Sequence, residues 1–187
     1  NGLPVSSDQD FLVLELAPID LIPCSVYYFL EIARTWKSGA FHRNANHVLQ
    51  VATHAEAVKK SMPFQEYSPE YPHAKGTVGY AGRPSGPGWY ISIMDNTVNH
   101  GPGSQQNKNP YEADSLFGRV VNYPGMDTVV PRIHSTPQVG WLDKEHQIVI
   151  SKMTILIQEK KKNSPDGKIV KEWVPWTPLP TDAALVA

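Results

Sequence analysis

The chain has 187 residues, 41% of them hydrophobic, and a net charge of −1. That length favours one domain with a tail, and the apolar share is enough for a real core. The charge balance excludes a basic stripe for nucleic acid and an acidic solvating block, and no apolar run approaches the roughly 20 residues of a membrane helix.

The 17 prolines and 13 glycines predict short elements and many turns rather than a helical bundle. The single cysteine, Cys24, cannot form an internal disulfide. It suits a reducing compartment without excluding an oxidising one. The chain begins at Asn1 without methionine. A processed or missing upstream segment is expected, which leaves the compartment open and keeps an organelle or secretory lumen in view.

Residues 1–9 are polar and turn-rich and read as a lead-in. Asp10 to Ala17 is mostly apolar and predicts a strand buried on both faces. Ile22-Pro23 opens a helix, with proline tolerated in the first turn. Val26, Phe29, Leu30 and Ala33 give it one apolar face, and Gly39 is its expected end. Ala40–Arg43 and His47–Ala52 predict two short strands. Residues 53–75 read as a long surface excursion with a helical turn near His54–Lys60. Gly76–Ala81 predicts a strand, 82–88 a loop, Trp89–Met94 a strand, and 95–114 mostly loop. Leu116–Val121 predicts a strand, and Gly125–Val130 a short helix stopped by Pro131. Gln147–Ile157 predicts one long β-branched strand with a bulge. Lys160-Lys161-Lys162 reads as a charged turn. Trp173 and Trp176 stand in an extended proline-rich tail.

Several chemistries lack support. His42, His47 and His54 have no cysteine or paired carboxylate to complete a metal set. Ser85 is not in a Gly-x-Ser-x-Gly elbow. Gly82, Gly86 and Gly88 lack the following Lys-Ser/Thr of a phosphate cradle. No cofactor and no metal are expected. So many strands and turns favour a closed antiparallel barrel with helices over its ends, because closure removes exposed edges.

Two stretches carry a resemblance: Phe41-His42-Arg43 with Val48-Leu49-Gln50, and Phe117-Gly118-Arg119-Val120 with Gly125-Met126-Asp127. Their order, over about residues 10–157, resembles a divergent cyclophilin, the peptidyl-prolyl cis-trans isomerase family. The resemblance implies a mainly β domain over 10–157: a closed eight-stranded antiparallel barrel capped by two helices. Residues 158–187 then form a charged turn and a Pro/Trp-rich tail, which either packs back on the barrel or docks a protein partner. The implied ligand is a proline-containing peptide or protein client.

The chemistry asks little of the protein. Uncatalysed rotation about an X–Pro amide takes tens to hundreds of seconds. A rigid, always charged guanidinium can favour the twisted amide, whose nitrogen regains a lone pair. By resemblance that donor is Arg43. The groove glutamine falls on Gln50, with one residue fewer between it and Arg43. The family's alanine and asparagine fall on Ala81 and Gly82. The departures are as telling. His47 replaces an aromatic, Gly88 a second glutamine, Tyr90 a pocket phenylalanine and Asp114 a histidine. The Gly-rich excursion after the glutamine is absent. Trp141-Leu142-Asp143 resembles another family motif, but it follows the Phe-Gly strand and is read as a coincidence. The expectation is peptide binding through Arg43, Gln50, Ala81, Gly82, Tyr90 and His47, with isomerase activity weak or lost. The alternatives are an active isomerase assisting folding and a subunit held in a larger assembly by its tail.

Overall fold

The computed structural model describes residues 11–53, 60–105, 109–161 and 170–177. They group into two units, residues 10–152 and the chain from Met153 onward. The expected helical turn at His54–Lys60 falls almost wholly outside the described residues.

The first strand is shorter and wetter than its apolar sequence predicts. β1 is Leu14–Leu16, with Glu15 exposed between two half-buried leucines. It pairs with β6, Leu116–Val120, where Glu15 meets Arg119 at 2.6 Å. One face of this antiparallel pair stands in water, so the strand's residues alternate in burial.

Helix α1, Pro23–Arg34, begins at the expected proline. Its buried face is Ser25, Val26, Phe29 and Ile32, so Leu30 and Ala33 lie on the flank. It has no local side-chain cap. Instead the Glu66 carboxylate accepts from the Cys24 and Ser25 backbone N–H groups at 3.2 and 2.6 Å. That satisfies two donors a helix start leaves orphaned and suits the positive end of its dipole. The helix stops at Thr35, whose hydroxyl donates back to the Glu31 carbonyl. Gly39 does not end it. Gly39 opens β2, Gly39–Asn44, where an added Cβ would lie 2.3 Å from Trp36 and 2.6 Å from the Ala52 carbonyl.

β2 pairs with β3, Val48–Thr53, and the pairing shifts between Phe41 and Arg43. His42 is the extra residue of this bulge. In a regular ladder Phe41 and Arg43, two residues apart, would share a face of the strand. With the bulge, Phe41 lies opposite Val51 in the core, and Arg43 lies opposite Gln50 on the other face.

Strands β4, Thr77–Tyr80, and β5, Trp89–Ser92, complete the middle of the sheet. β7, Gly140–Trp141, and β8, Ile148–Ile150, both pair with β2. All pairings are antiparallel, in the order β1-β6-β4-β5-β3-β2-β7 with β8 also on β2. The eight strands form a curled, open sheet and not the closed barrel expected: among the described residues β1 pairs only with β6 and never with β7 or β8. β1, β7 and β8 hold two or three residues each, too few to close a ring of ladders.

The core packs α1 against the sheet. Phe29 stacks on Phe117 with centroids 4.0 Å apart, and Trp89 meets both edge-on. The Tyr80 hydroxyl donates to the Ser25 carbonyl at 2.7 Å, so a buried phenol is satisfied. Residues 60–75 form no helix or strand but are stitched in, not a loose surface excursion. Met62 and His73 are buried. Gln65 bonds both Ala113 and Ser85.

Two helical stretches depart from expectation. Within the expected loop, Thr97–His100 forms a short helix, α2. After β6 the chain makes a wide helical turn over Asn122–Val129 and runs directly into α3, Val130–His134. Pro131 therefore starts a helix rather than stopping one; in a first turn its missing N–H is no loss.

The long strand expected over Gln147–Ile157 is also divided. After β8 no strand forms until β9, Leu156–Lys161, in the second unit. β9 pairs with β10, Val170–Pro175, as an antiparallel hairpin. Lys160 and Lys161 thus belong to a strand, and Trp173 lies opposite Gln158 in a ladder rather than in an extended tail. Ser164, Pro165, Asp166 and Gly167 lie outside the described residues.

Candidate functional site

One row of cross-strand neighbours organises the groove. Trp141 lies opposite Arg43, Arg43 opposite Gln50, Gln50 opposite Tyr90, and Tyr90 opposite Gly79. Paired residues point to one face of a sheet, so these side chains share the face away from α1. Gly79 is required there: a Cβ would stand 2.9 Å from both the Tyr90 phenol oxygen and Leu116.

Arg43 is held on two sides. Its Nη1 donates to Gln50 Oε1 at 3.2 Å, and its guanidinium carbon stands 5.3 Å from the centre of the Trp141 ring. Trp141 is placed by Asn44, which is buried. Asn44 Nδ2 faces the His134 and Gln138 carbonyls and Thr136 Oγ1, and its Oδ1 contacts His134 Nδ1 at 2.6 Å. This ties the 134–138 turn to β2 and delivers β7 to Arg43.

The opposite wall is a column of rings. His47 stacks on His100 at 5.3 Å, and His100 stacks on Tyr90 at 4.5 Å. Behind them lies a buried charge network. Asp114 is 1% exposed; its carboxylate accepts from Arg83 Nε at 2.8 Å and from His100 Nδ1 at 2.7 Å. Gln105 Nε2 donates to both oxygens. Arg83 also donates to the His100, Gly101 and Ser104 carbonyls and to Ser104 Oγ. A carboxylate only accepts, so His100 carries its proton on Nδ1 toward Asp114. His100 Nε2 is buried with no hydrogen-bond partner.

The environment acts on neighbouring groups. Burial, then the nearby His100 and Arg43 charges, hold the His47 ring below its ordinary proton affinity. Burial, aided by Arg43, does the same to His42. Burial pushes the Tyr90 phenol well above its usual range, and the Asp114 charge adds to this. Tyr90 is therefore neutral, although its oxygen meets hydrogen-bond geometry with no group.

These features enclose a cavity of about 510 Å³. Arg43, His47, Gln50, Ala81, Gly82 and Tyr90 all line it, so the structure brings together every residue singled out by sequence. Gly82 has φ +91°, a conformation that favours glycine over the asparagine of the family pattern. Gly88 does not line the cavity. His100, Gln105 and Trp141 do; the sequence did not point to the first two, and it offered Trp141 only in a motif set aside as a coincidence. Chain order separates Trp141 from the motif it resembles, yet β7 brings it beside Arg43. Arg83, behind the wall, carried a signal that was readable: an arginine inside a Gly/Pro loop, where a buried charge needs a partner. Among the described residues no group of three or more His, Cys, Asp or Glu could hold a metal ion.

No family model matches the sequence, and no curated protein matches it. The structure resembles the crystal structure of a cyclophilin type peptidyl-prolyl cis-trans isomerase from Cryptosporidium parvum. The TM-score is 0.50 at 17% identity, covering 75% of this chain and 88% of that one. The fold is cyclophilin-like. A second structure of the Cryptosporidium parvum enzyme, in the presence of the dipeptide Ala-Pro, gives a TM-score of 0.49 at 18% identity over 75% and 89% of the chains. The Phe-His-Arg stretch supplies one core and one groove residue across the β2 bulge. The Phe-Gly stretch supplies β6, where a Cβ on Gly118 would lie 2.6 Å from the Glu15 carbonyl.

Proposed function

We propose that this domain binds proline-containing peptide segments in the Arg43 groove, with peptidyl-prolyl isomerase turnover weak or lost. The observation that carries the reading is Arg43 itself. It is held by Gln50 and Trp141 at the floor of a preformed cavity, with one hydrogen bond among the described residues for a group that has five N–H donors. The remaining donors suit a peptide carbonyl or the nitrogen of a twisted prolyl amide. Gln50, Ala81, Gly82, Tyr90 and His47 are the proposed contacts around it.

Weak turnover follows from the wall. A prolyl ring is apolar, while the wall here is two stacked imidazoles, His47 and His100, backed by a buried ion pair. Contacts that favour substrate and transition state alike give binding without rate. A protease-coupled isomerisation assay on Xaa-Pro peptides, run beside a binding titration, tests this. Binding with little turnover is expected. Robust turnover that collapses in Arg43→Ala establishes the active-isomerase alternative, which the free guanidinium donors favour.

The second unit is the proposed surface for a protein partner, because its hairpin leaves Trp173 40% exposed. Deleting residues 160–187 should abolish capture of that partner and leave peptide binding intact.

A further inference from the structure

We infer that the groove selects proline-containing segments that carry an anionic side chain, a carboxylate or a phosphate, beside the proline. The inference rests on the peptide-binding reading above and specifies its ligand.

The argument is a balance of charge and of donors. Arg43 is a permanent cation on the cavity floor. The carboxylate lining the cavity is Asp114, and it is neutralised from behind by Arg83 and saturated by three donors. It has nothing left for Arg43. The positive charge of the groove is therefore uncompensated within its own lining.

The hydrogen-bond inventory points the same way. Arg43 spends Nη1 on Gln50, which occupies Oε1 and leaves the Gln50 amide N–H₂ as a donor. The His47 ring has no hydrogen-bond partner among the described residues. His100 spends Nδ1 on Asp114 and offers the groove no acceptor there. Donors accumulate on this surface and strong acceptors do not. A ligand rich in acceptor oxygen completes the set, because charge-assisted bonds from guanidinium and imidazole to an oxyanion are the strong ones.

His47 is placed to gain from such a ligand. It stacks on His100 at 5.3 Å, and both rings line the cavity with Arg43. Burial first, then the His100 and Arg43 charges, lower its proton affinity. A carboxylate or phosphate beside His47 acts in the opposite direction, favouring the charged ring and a charge-assisted bond.

The test is a fluorescence-anisotropy titration of the full chain with labelled hexapeptides of one framework. Ala, Lys, Glu or phosphoserine is placed directly before or directly after the proline, and a Glu-containing peptide lacks proline. Glu and phosphoserine peptides are expected to bind about tenfold or more tightly than the Ala peptide, with the Lys peptide weakest. His47→Gln should shrink that ratio and His47→Lys should restore it. The two acidic arms separate carboxylate from phosphate selection. Equal affinity for Ala, Lys, Glu and phosphoserine peptides overturns the anion preference and leaves the peptide-binding reading standing. No binding by any peptide, or equal binding of the proline-free acidic peptide, overturns the peptide-binding reading itself.

Discussion

Arg43 faces Gln50 because His42 is one residue too many for its strand. The bulge sends Phe41 into the core and Arg43 into the groove, and Gln50 then lies directly opposite. The side chain proposed to bind peptide thus depends on a local irregularity of the backbone.

Arg43→Lys tests how far the planar group matters. Lysine offers a point charge without the fork, and it stacks less well on Trp141. Peptide affinity should fall by about tenfold, equivalent to ~1.4 kcal/mol. The midpoint of thermal unfolding should stay within a few degrees, since Arg43 is only half-buried. A large loss of stability would show that the residue is chiefly structural.

Asp114→Asn probes the network behind the wall. It leaves Arg83, whose side chain is 10% exposed, as a buried cation without its partner. Breaking such a pair costs about 3–5 kcal/mol. Urea unfolding should show that loss, and adding Arg83→Met should recover part of it. Strict additivity of the two changes would contradict the coupling described here.

Stability should fall on acidification through His73. Its Nε2–H donates to the Asp114 carbonyl at 2.9 Å, and its Nδ1 is buried without a partner. Protonation would place an N–H where nothing accepts it, and burial holds the ring down to about 4 against an ordinary 6.5. The unfolded chain therefore binds the proton first as pH falls. This contribution is complete above about pH 6.5 and is lost progressively toward pH 4, reaching about 3 kcal/mol. Denaturant titrations at pH 7.5 and 4.5, compared with His73→Gln, measure it; an unchanged difference in the variant would rule His73 out as the source.

Glu66→Ala should loosen two elements at once. Two helix N–H groups lose their acceptor, which costs about 1–2 kcal/mol. Segment 60–75 loses one of its ties to α1, keeping the Tyr28 hydroxyl that donates to the Lys60 carbonyl. Hydrogen exchange should therefore speed up at Cys24, Ser25 and residues 60–75 together. Acceleration confined to the helix would argue against the tie.

Much of the fold was legible because periodicity and order survive divergence. The apolar stripe of α1, the Phe41–Arg43 and Val48–Gln50 pair, and the Phe-Gly strand carry their own patterns. The Arg43–Gln50 pairing at the candidate site was legible for the same reason. What stayed hidden was non-local. Glu66 caps a helix 41 residues away, and Trp141 enters the groove through an Asn44 anchor 90 residues from His134. His100 lies in a polar stretch with no apolar period to announce α2. The closed barrel failed as an expectation because strand count alone does not fix strand length. Where β1, β7 and β8 hold only two or three residues, edges remain open.

Asn96 gives the groove its mechanics. It is fully buried; its side chain donates to the His47 carbonyl at 2.9 Å, and its backbone N–H donates to the His73 carbonyl at 2.8 Å. The Ile93 N–H reaches the same His47 carbonyl. The Asn96 carbonyl in turn accepts from the His100 backbone N–H at 2.8 Å. The β2–β3 turn that carries His47 and the helix α2 that carries His100 thus hang from one pin. For the peptide proposed above, such a wall acts as a fixed-width slot rather than a closing jaw, and binding costs little ordering of the protein.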